Sequence, residues 1–402
     1  MTAEVRTFVT LPSLPMNTMI TNPASLAATR SASADIVSME TPTTAANFAP
    51  LNRRVLLGAA GLLGAAALTR LAAAGPLSPP AGAVSFTGKT AEQIEPRIDI
   101  ETMLSGSGAS RLISAPGSYI LTRNLTVPDG QSGIRISASD VTLDLNGFAL
   151  SGGPGSPAAI FIDPSPSGQP QRNVTVRNGS VAGTQQGVYS LLLGRNLHIS
   201  NLTARDCSDS GFRLRGTRLE HCGAANCNTG FTLNNCHARN LGVETCPVGI
   251  SATESVVDLA HVYDTTIGVD LTDRSVLADS VIDLATTGIR PRNNCIVRGC
   301  AVFNCLQYGI DITSLDGLGA DNFIEGNLVS LCQVKGIRAN GAGIIRNVLL
   351  ANRGLRNGLN FATSDSFEFA GNNKWGPIVL TPATGDVGAV PNADHPLANL
   401  AF

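Results

Sequence analysis

Three times between Gly230 and Leu271 a glycine opens the pattern apolar, polar, apolar: Gly-Phe-Thr-Leu at 230, Gly-Ile-Ser-Ala at 249 and Gly-Val-Asp-Leu at 268, 19 residues apart each time. Followed outward, the glycines fall at 187, 211, 230, 249, 268, 288, 309, 336 and 358, with Gly133 marking an earlier turn. The residue after each is apolar, from Ile134 and Val188 through Phe212, Phe231, Ile250, Val269, Ile289, Ile310 and Ile337 to Leu359. Alternation of this kind over four residues predicts a short, half-buried strand. Two further apolar columns follow: Leu219, Ala238, Val257, Val276 and Ile296 eight residues after the glycine, and Ala224, Val243, Val262, Val281 and Ala301 thirteen after it. A unit of about 20 residues cannot bury three such patches alone, but stacked copies close a continuous core. The pattern therefore predicts an all-β solenoid, a parallel β-helix of about ten coils. Leucine-rich repeats need a Leu and Asn lattice that is missing here, and a propeller blade needs about 40 residues.

The same pass divides the chain. Residues 1–50 are rich in Thr, Ser, Ala, Pro and Asn without an apolar period and read as a disordered extension. In 51–83, Arg53 and Arg54 precede a mildly apolar run from Val55 to Leu68, with Ala72-Ala73-Ala74 and Ala81-Gly82-Ala83 beyond it, the pattern of a twin-arginine export signal. That run is too short for a permanent membrane span at about 1.5 Å per residue against a core of about 30 Å. A linker and short N-terminal cap follow in 84–111, then the β-helix in 112–371 and an irregular C-terminal tail in 372–402.

Composition supports this picture and narrows the function. Glycine is abundant at 42 of 402 residues, aromatics are 4% and charged residues 14%. A net charge of −2 leaves no broad attraction for phosphate backbones, so nucleic acid is not an expected partner. Nine cysteines in an exported chain suggest disulfides, yet Cys207, Cys227, Cys246, Cys305 and Cys332 all stand three or four residues before a repeat glycine. That phase predicts one stacked, buried column of reduced thiols, with neighbouring coils close enough for one or two bridges. Asn-x-Ser/Thr triplets at Asn124, Asn173, Asn178 and Asn201 carry little weight in a bacterial-looking chain.

Several stretches point further. "QIEPRIDI" (93–100), "PGSYILTRNLTV" (116–127), "ASDVTLDLNGFALSG" (138–152) and the ending "DHPLANLAF" resemble a group of exported bacterial right-handed parallel β-helix proteins within the pectate-lyase-like superfamily. The resemblance spans about residues 88–402. It implies the right-handed fold and a location in the periplasm, on the cell surface or outside the cell, and it implies no particular substrate. The Asn-Thr-Asp, Asp-Asp, Gly-His-Gly and Arg-Ile-Lys blocks of polygalacturonases are absent, and Arg290-Pro291-Arg292 is only a distant echo of the pectate-lyase block.

The candidate chemistry lies in the outward column two residues after each glycine: Arg213, Thr232, Ser251, Asp270, Arg290, Asp311, Arg338 and Asn360. Four residues after the glycine runs a companion column, Arg215, Asn234, Thr253, Thr272, Arg292, Thr313 and Asn340. Coils lie about 4.8 Å apart, so these side chains form ladders on one face. The plainer explanation is that alternating signs avoid like-charge stacking, each pair contributing about 0.2 to 1 kcal/mol. The functional one is a groove for a polysaccharide, acidic sugars included, in which Arg213, Arg215, Arg292, Arg338 and Asn340 hold the substrate. Asp270, Arg290 and Asp311, with His261, are the candidate catalytic groups. Two rungs, about 9.6 Å, separate Asp270 from Asp311, close to the spacing of an inverting carboxylate pair. Arg290 between them favours ionised forms of both, which suits β-elimination better than hydrolysis. His261 belongs to an Asp258-x-x-His261-x-x-Asp264 stretch whose members sit at different phases of the coil. A metal reading of His221, Cys222, Cys227, Cys236 and His237 lacks the usual ligand spacing. Whether Ca²⁺ is bound is left open, since no motif supports it. The sequence thus predicts an exported β-helix that binds a polysaccharide and, in one branch, cleaves it as a lyase or hydrolase. The alternative is a non-catalytic surface or adhesion protein.

Overall fold

The structure is a computed structural model that describes residues 97–402 apart from 107, 165–167, 313–318, 342, 360–364 and 381–389. The expected disordered extension, the twin-arginine segment and part of the linker lie outside these residues. Named strands pair in parallel with strands one coil earlier and later. Thr229–Asn234 lies between Ser210–Arg215 and the end of His237–Thr253, with Phe212, Phe231 and Ile250 in one row and Arg213, Thr232 and Ser251 in the next. The coil winds through about thirteen turns rather than ten. The extra rungs are those in which the glycine signal fades. By register, Ser110, Ala159 and Ser366 occupy its place in Ala109–Ile113, Ala158–Ile162 and beside Phe367–Phe369. A 3₁₀ turn, Ile100–Thr102, precedes the coils, and its first residue is fully buried.

The repeat glycine has a steric cause. A Cβ on Gly249 would lie 2.4 Å from the carbonyl oxygen of Gly268 on the next rung, too close for any side chain. Inside the tube the residue after the glycine packs on its equivalents, and Phe212 and Phe231 stack with centroids 4.8 Å apart.

From the coil of Asn173 to that of Arg346, each coil turns three corners on residues with left-handed backbone. In one coil these are Asn235, Asn240 and Thr245, with φ of 54°, 54° and 52°. Asn and Asp are common at such positions because they tolerate this conformation. The residue after each corner points inward, so Cys236, Leu241 and Cys246 begin three buried columns. In the first of these columns the amides are satisfied from the next rung. The Cys236 amide donates to Ser255 Oγ at 3.0 Å, the Cys295 amide to Asn322 Oδ1 at 2.9 Å, and the Asn322 amide to Asn347 Oδ1 at 2.9 Å. The expected cysteine column is present: Cys207, Cys227 and Cys246, then Thr265 and Ala285, then Cys305 and Cys332. All nine cysteines are buried free thiols.

Two expectations are corrected. Val281 and Ile296 face outward, each 36% exposed, while Ile282 and Val297 take the inward places. The 20- and 21-residue steps from Gly268 and Gly288 each add one residue at the first corner, around Asp273 and Asn293, and a one-residue shift turns over the side chains that follow in that coil. Gly358 is not a rung glycine either. Leu359 is 77% exposed, and the next rung is Phe367–Phe369, with Phe367 beside Ile337.

Candidate functional site

The strands that carry the rung glycines, which merge in mid-chain into longer strands such as His237–Thr253, form one face, called the long-strand face, and its central outward column is continuous. Arg135, Phe161, Tyr189, Arg213, Thr232, Ser251, Asp270 and Arg290 stand in register, and Asp311, Arg338 and Glu368 extend the column. Of the expected site residues, Arg213, Asp270, Arg290, Asp311 and Arg338 therefore share this column. Arg215 lies in the companion column beside Asn234, and Arg292 and Asn340 follow farther along. Thr313 and Asn360 lie outside the described residues, and Glu368 fills the rung beside Arg338 that Asn360 was expected to fill.

Asp270 is buried, and two guanidinium groups close on it. Arg290 donates Nε to Oδ1 at 3.0 Å and Nη2 to Oδ2 at 2.8 Å, and Arg292 adds contacts of 3.4 and 3.1 Å to the same oxygens. Burial alone would raise the carboxyl pKa, but the two guanidiniums outweigh it and hold Asp270 below the usual carboxylate range. Arg338 grips Asp311 in the same forked way, at 2.9 and 2.8 Å. It also donates to the Tyr308 hydroxyl at 2.7 Å and lies 3.6 Å from the centre of that ring. Burial works against its charge, while Asp311 more than restores it. Asn340 donates to Glu368 at 2.6 Å. An aspartate held ionised in this way accepts protons poorly and cannot supply one as a general acid.

The N-terminal half of the column carries residues the sequence reading passed over. Phe161 and Tyr189 stack with centroids 5.2 Å apart and planes 9° from parallel. Arg135 stands 5.9 Å from the Phe161 ring centre and Arg213 the same distance from that of Tyr189. Arg135 is paired with Asp163, and Arg213 reaches Asp209 at 3.4 Å. Beside the rings, where Ala158 leaves space, runs a groove of about 290 Å³ lined by Arg135, Phe161, Gln186 and Tyr189. The Arg215 side chain is exposed and makes no hydrogen bond or ion pair among the described residues. Tyr189 was legible two residues after Gly187, whereas Phe161 was hidden by Ala159 in the glycine's place.

His261 does not join this column. It stands in register with Gly242 and Val281 on another face. Asp258 lies 3.4 Å from Arg239, and Asp264 accepts from Thr245, so neither orients the imidazole. Cys222, Cys227 and Cys236 point inward while His221 and His237 are exposed, and no group of three metal-binding side chains occurs among the described residues. No helix of the described residues is long and apolar enough to cross a membrane.

No family model and no curated protein matches this sequence. Among solved structures, the A-module of a mannuronan C-5 epimerase from Azotobacter vinelandii aligns at 14% identity over 69% of this chain and 87% of its own, with a TM-score of 0.42. The catalytic unit of a GH87 α-1,3-glucanase from Streptomyces thermodiastaticus aligns at 12% identity over 78% of this chain and 68% of its own, with a TM-score of 0.37. A periplasmic alginate epimerase aligns at 13% identity over 61% and 63%, with a TM-score of 0.26. By the register of its own strands, the chain is an all-β parallel β-solenoid.

Proposed function

We propose that the long-strand face binds an acidic polysaccharide outside the cytoplasm, and that binding rather than cleavage is its task. The observation that carries this reading is the division of the face into two halves. From Asp270 to Glu368 the charged groups are engaged with one another, which makes a stiff wall of fixed dipoles. From Phe161 to Asn234 the face instead offers a groove, two half-exposed rings and the exposed guanidinium of Arg215. A uronate carboxylate meets Arg213 and Arg215 there through charge-assisted hydrogen bonds, while the ring edges and the groove take the apolar side of the sugar. The clamped Asp270 argues against hydrolysis, since a buried carboxylate already held by two arginines is unsuited to protonate a leaving group. The twin-arginine segment agrees with a ligand met after export.

Calorimetric titration with trigalacturonate tests this. Wild type should bind, and Arg215→Ala should bind about tenfold or more weakly, the worth of one charge-assisted hydrogen bond. Equal binding by the two proteins, or none by wild type, would contradict the assignment. New reducing ends or unsaturated products would restore the enzyme reading.

A further inference from the structure

A second cavity, of about 430 Å³, opens on the face that carries His261, apart from the column of Asp270 and Arg290. Its floor exists because two successive rungs lack an outward side chain. Thr203, Gly223, Gly242 and His261 stand in register in one column, while Glu244 and Tyr263 stand in the next. Neither glycine has a positive φ. A Cβ at Gly242 would meet nothing within 4 Å, and one at Gly223 only ordinary contact with Thr203 at 3.7 Å. These glycines differ from Gly249, where the next rung forbids a side chain. A glycine inside a strand weakens it, and one that neither backbone nor packing requires marks a place where something else approaches closely.

The rim supplies chemistry of one kind. Thr203, Glu244, His261 and Tyr263 each have a polar side-chain group on the cavity, and none of the four makes a side-chain hydrogen bond or ion pair among the described residues. The charged side chains of Asp270 and Asp311 on the long-strand face are, by contrast, already paired. Tyr263 is 39% exposed and gives the slot an aromatic wall. From Thr203 to His261 is three rungs, about 14 Å, so the two empty rungs leave room for one ring. The volume falls within the range of about 300 to 1,000 Å³ usual for small-ligand sites.

We infer that this slot binds one hexopyranose unit of a neutral glycan. A pyranose has an apolar face for Tyr263 and neighbouring hydroxyls that donate to the Glu244 carboxylate, with Thr203 and His261 completing the ring of hydrogen bonds. Glu244, with Asp264 and Asp283 on flanking positions, outnumbers the one cation of its column, Arg205 two rungs away across Ala225, and this balance disfavours an anionic sugar. The site is thus complementary to the acidic-sugar face and independent of it. The β-helix then carries two glycan contacts on different sides, and His261 serves as a hydrogen-bonding rim residue of this slot.

The test exploits the open space at Gly242. Wild type, Gly242→Phe and Arg215→Ala are titrated calorimetrically with cellotriose, maltotriose, mannotriose and trigalacturonate, and thermal unfolding confirms that both variants fold as wild type does. At least one neutral trisaccharide should bind wild type. Gly242→Phe should weaken that binding tenfold or more and leave trigalacturonate unaffected, while Arg215→Ala should do the reverse. Binding of no neutral trisaccharide by wild type, or binding undiminished in Gly242→Phe, overturns the inference. Loss confined to trigalacturonate in both variants overturns it as well. Failure of trigalacturonate alone would count against the long-strand face and leave the slot standing.

Discussion

Arg290 and Asp270 sit on adjacent rungs and meet through two parallel hydrogen bonds, Nε to Oδ1 at 3.0 Å and Nη2 to Oδ2 at 2.8 Å. Residues 20 apart in sequence meet in this fixed geometry because the coil brings one rung of a parallel sheet directly over the next. The pair is mostly shielded, with side chains 17% and 11% exposed, so it is more than a solvated surface contact.

Removing the carboxylate should therefore be costly. Asp270→Ala leaves Arg290 and Arg292 facing each other without their shared partner, and the expected loss is about 3 kcal/mol. Urea unfolding followed by circular dichroism reads it, and a midpoint unchanged from wild type would show the cluster to be ornamental.

The same pair makes stability depend on pH with a definite sign. The folded-state pKa of Asp270 is depressed, so its contribution is present above the unfolded value of about 3.9 and is lost as pH falls through the folded one. Wild type should lose stability below about pH 4 more steeply than Asp270→Asn, and parallel curves for the two would be the contrary result.

Two glycines should respond in opposite ways. Gly249→Ala forces a Cβ to 2.4 Å from the Gly268 carbonyl oxygen and should lower the unfolding temperature by several degrees, whereas Gly242→Ala meets open space and should leave it unchanged or raised. Differential scanning calorimetry of the two variants decides the matter, and equal responses would mean the rung spacing is misassigned.

The architecture was legible in the sequence because its signal is steric and periodic. Every rung glycine from Gly187 to Gly336 answers to a carbonyl or side chain pressed against it, and the apolar residue beside it lies in the core. What escaped notice broke that period: one residue added in each of two coils, near Asp273 and near Asn293, turned Val281 and Ile296 outward, and Ala159 concealed Phe161. The corners were a second signal left unread. Asn235, Asn240 and Thr245 are five residues apart, a spacing that recurs at Glu254, Leu259 and Asp264 and announces three bends per coil. The outward ladder could be listed from the repeat, but which arginines were engaged and which were free depended on side-chain geometry that no spacing encodes.

The buried Asn ladder of the last coils gives another expectation. Asn352 accepts from the Asn327 amide at 3.1 Å and from its side chain at 3.0 Å, while donating to Ile324. Asn352→Leu should cost about 3 kcal/mol by leaving these groups unsatisfied, and amide exchange should quicken first in the neighbouring rungs. Exchange unchanged at Asn327 would argue that the ladder is not what satisfies the corners.

A hydrogen bond with Cys227 lowers the Cys207 pKa, but burial shuts all nine thiols away from reagents. Burial pushes the Cys300 thiol up to about 12 and the Cys222 thiol up to about 11. At pH 8 iodoacetamide should label none of the nine cysteines in the native protein and all nine in guanidinium, as read by intact mass. Rapid native labelling at Cys222 or Cys300 would contradict the stacked interior.

The most direct measurement of the central claim is a crystal structure of the protein with trigalacturonate bound. The account predicts sugar density on the long-strand face, one carboxylate within hydrogen-bond distance of Arg215 and a ring beside Tyr189. Density confined to another face, or a long-strand face left empty at saturating sugar, would contradict it.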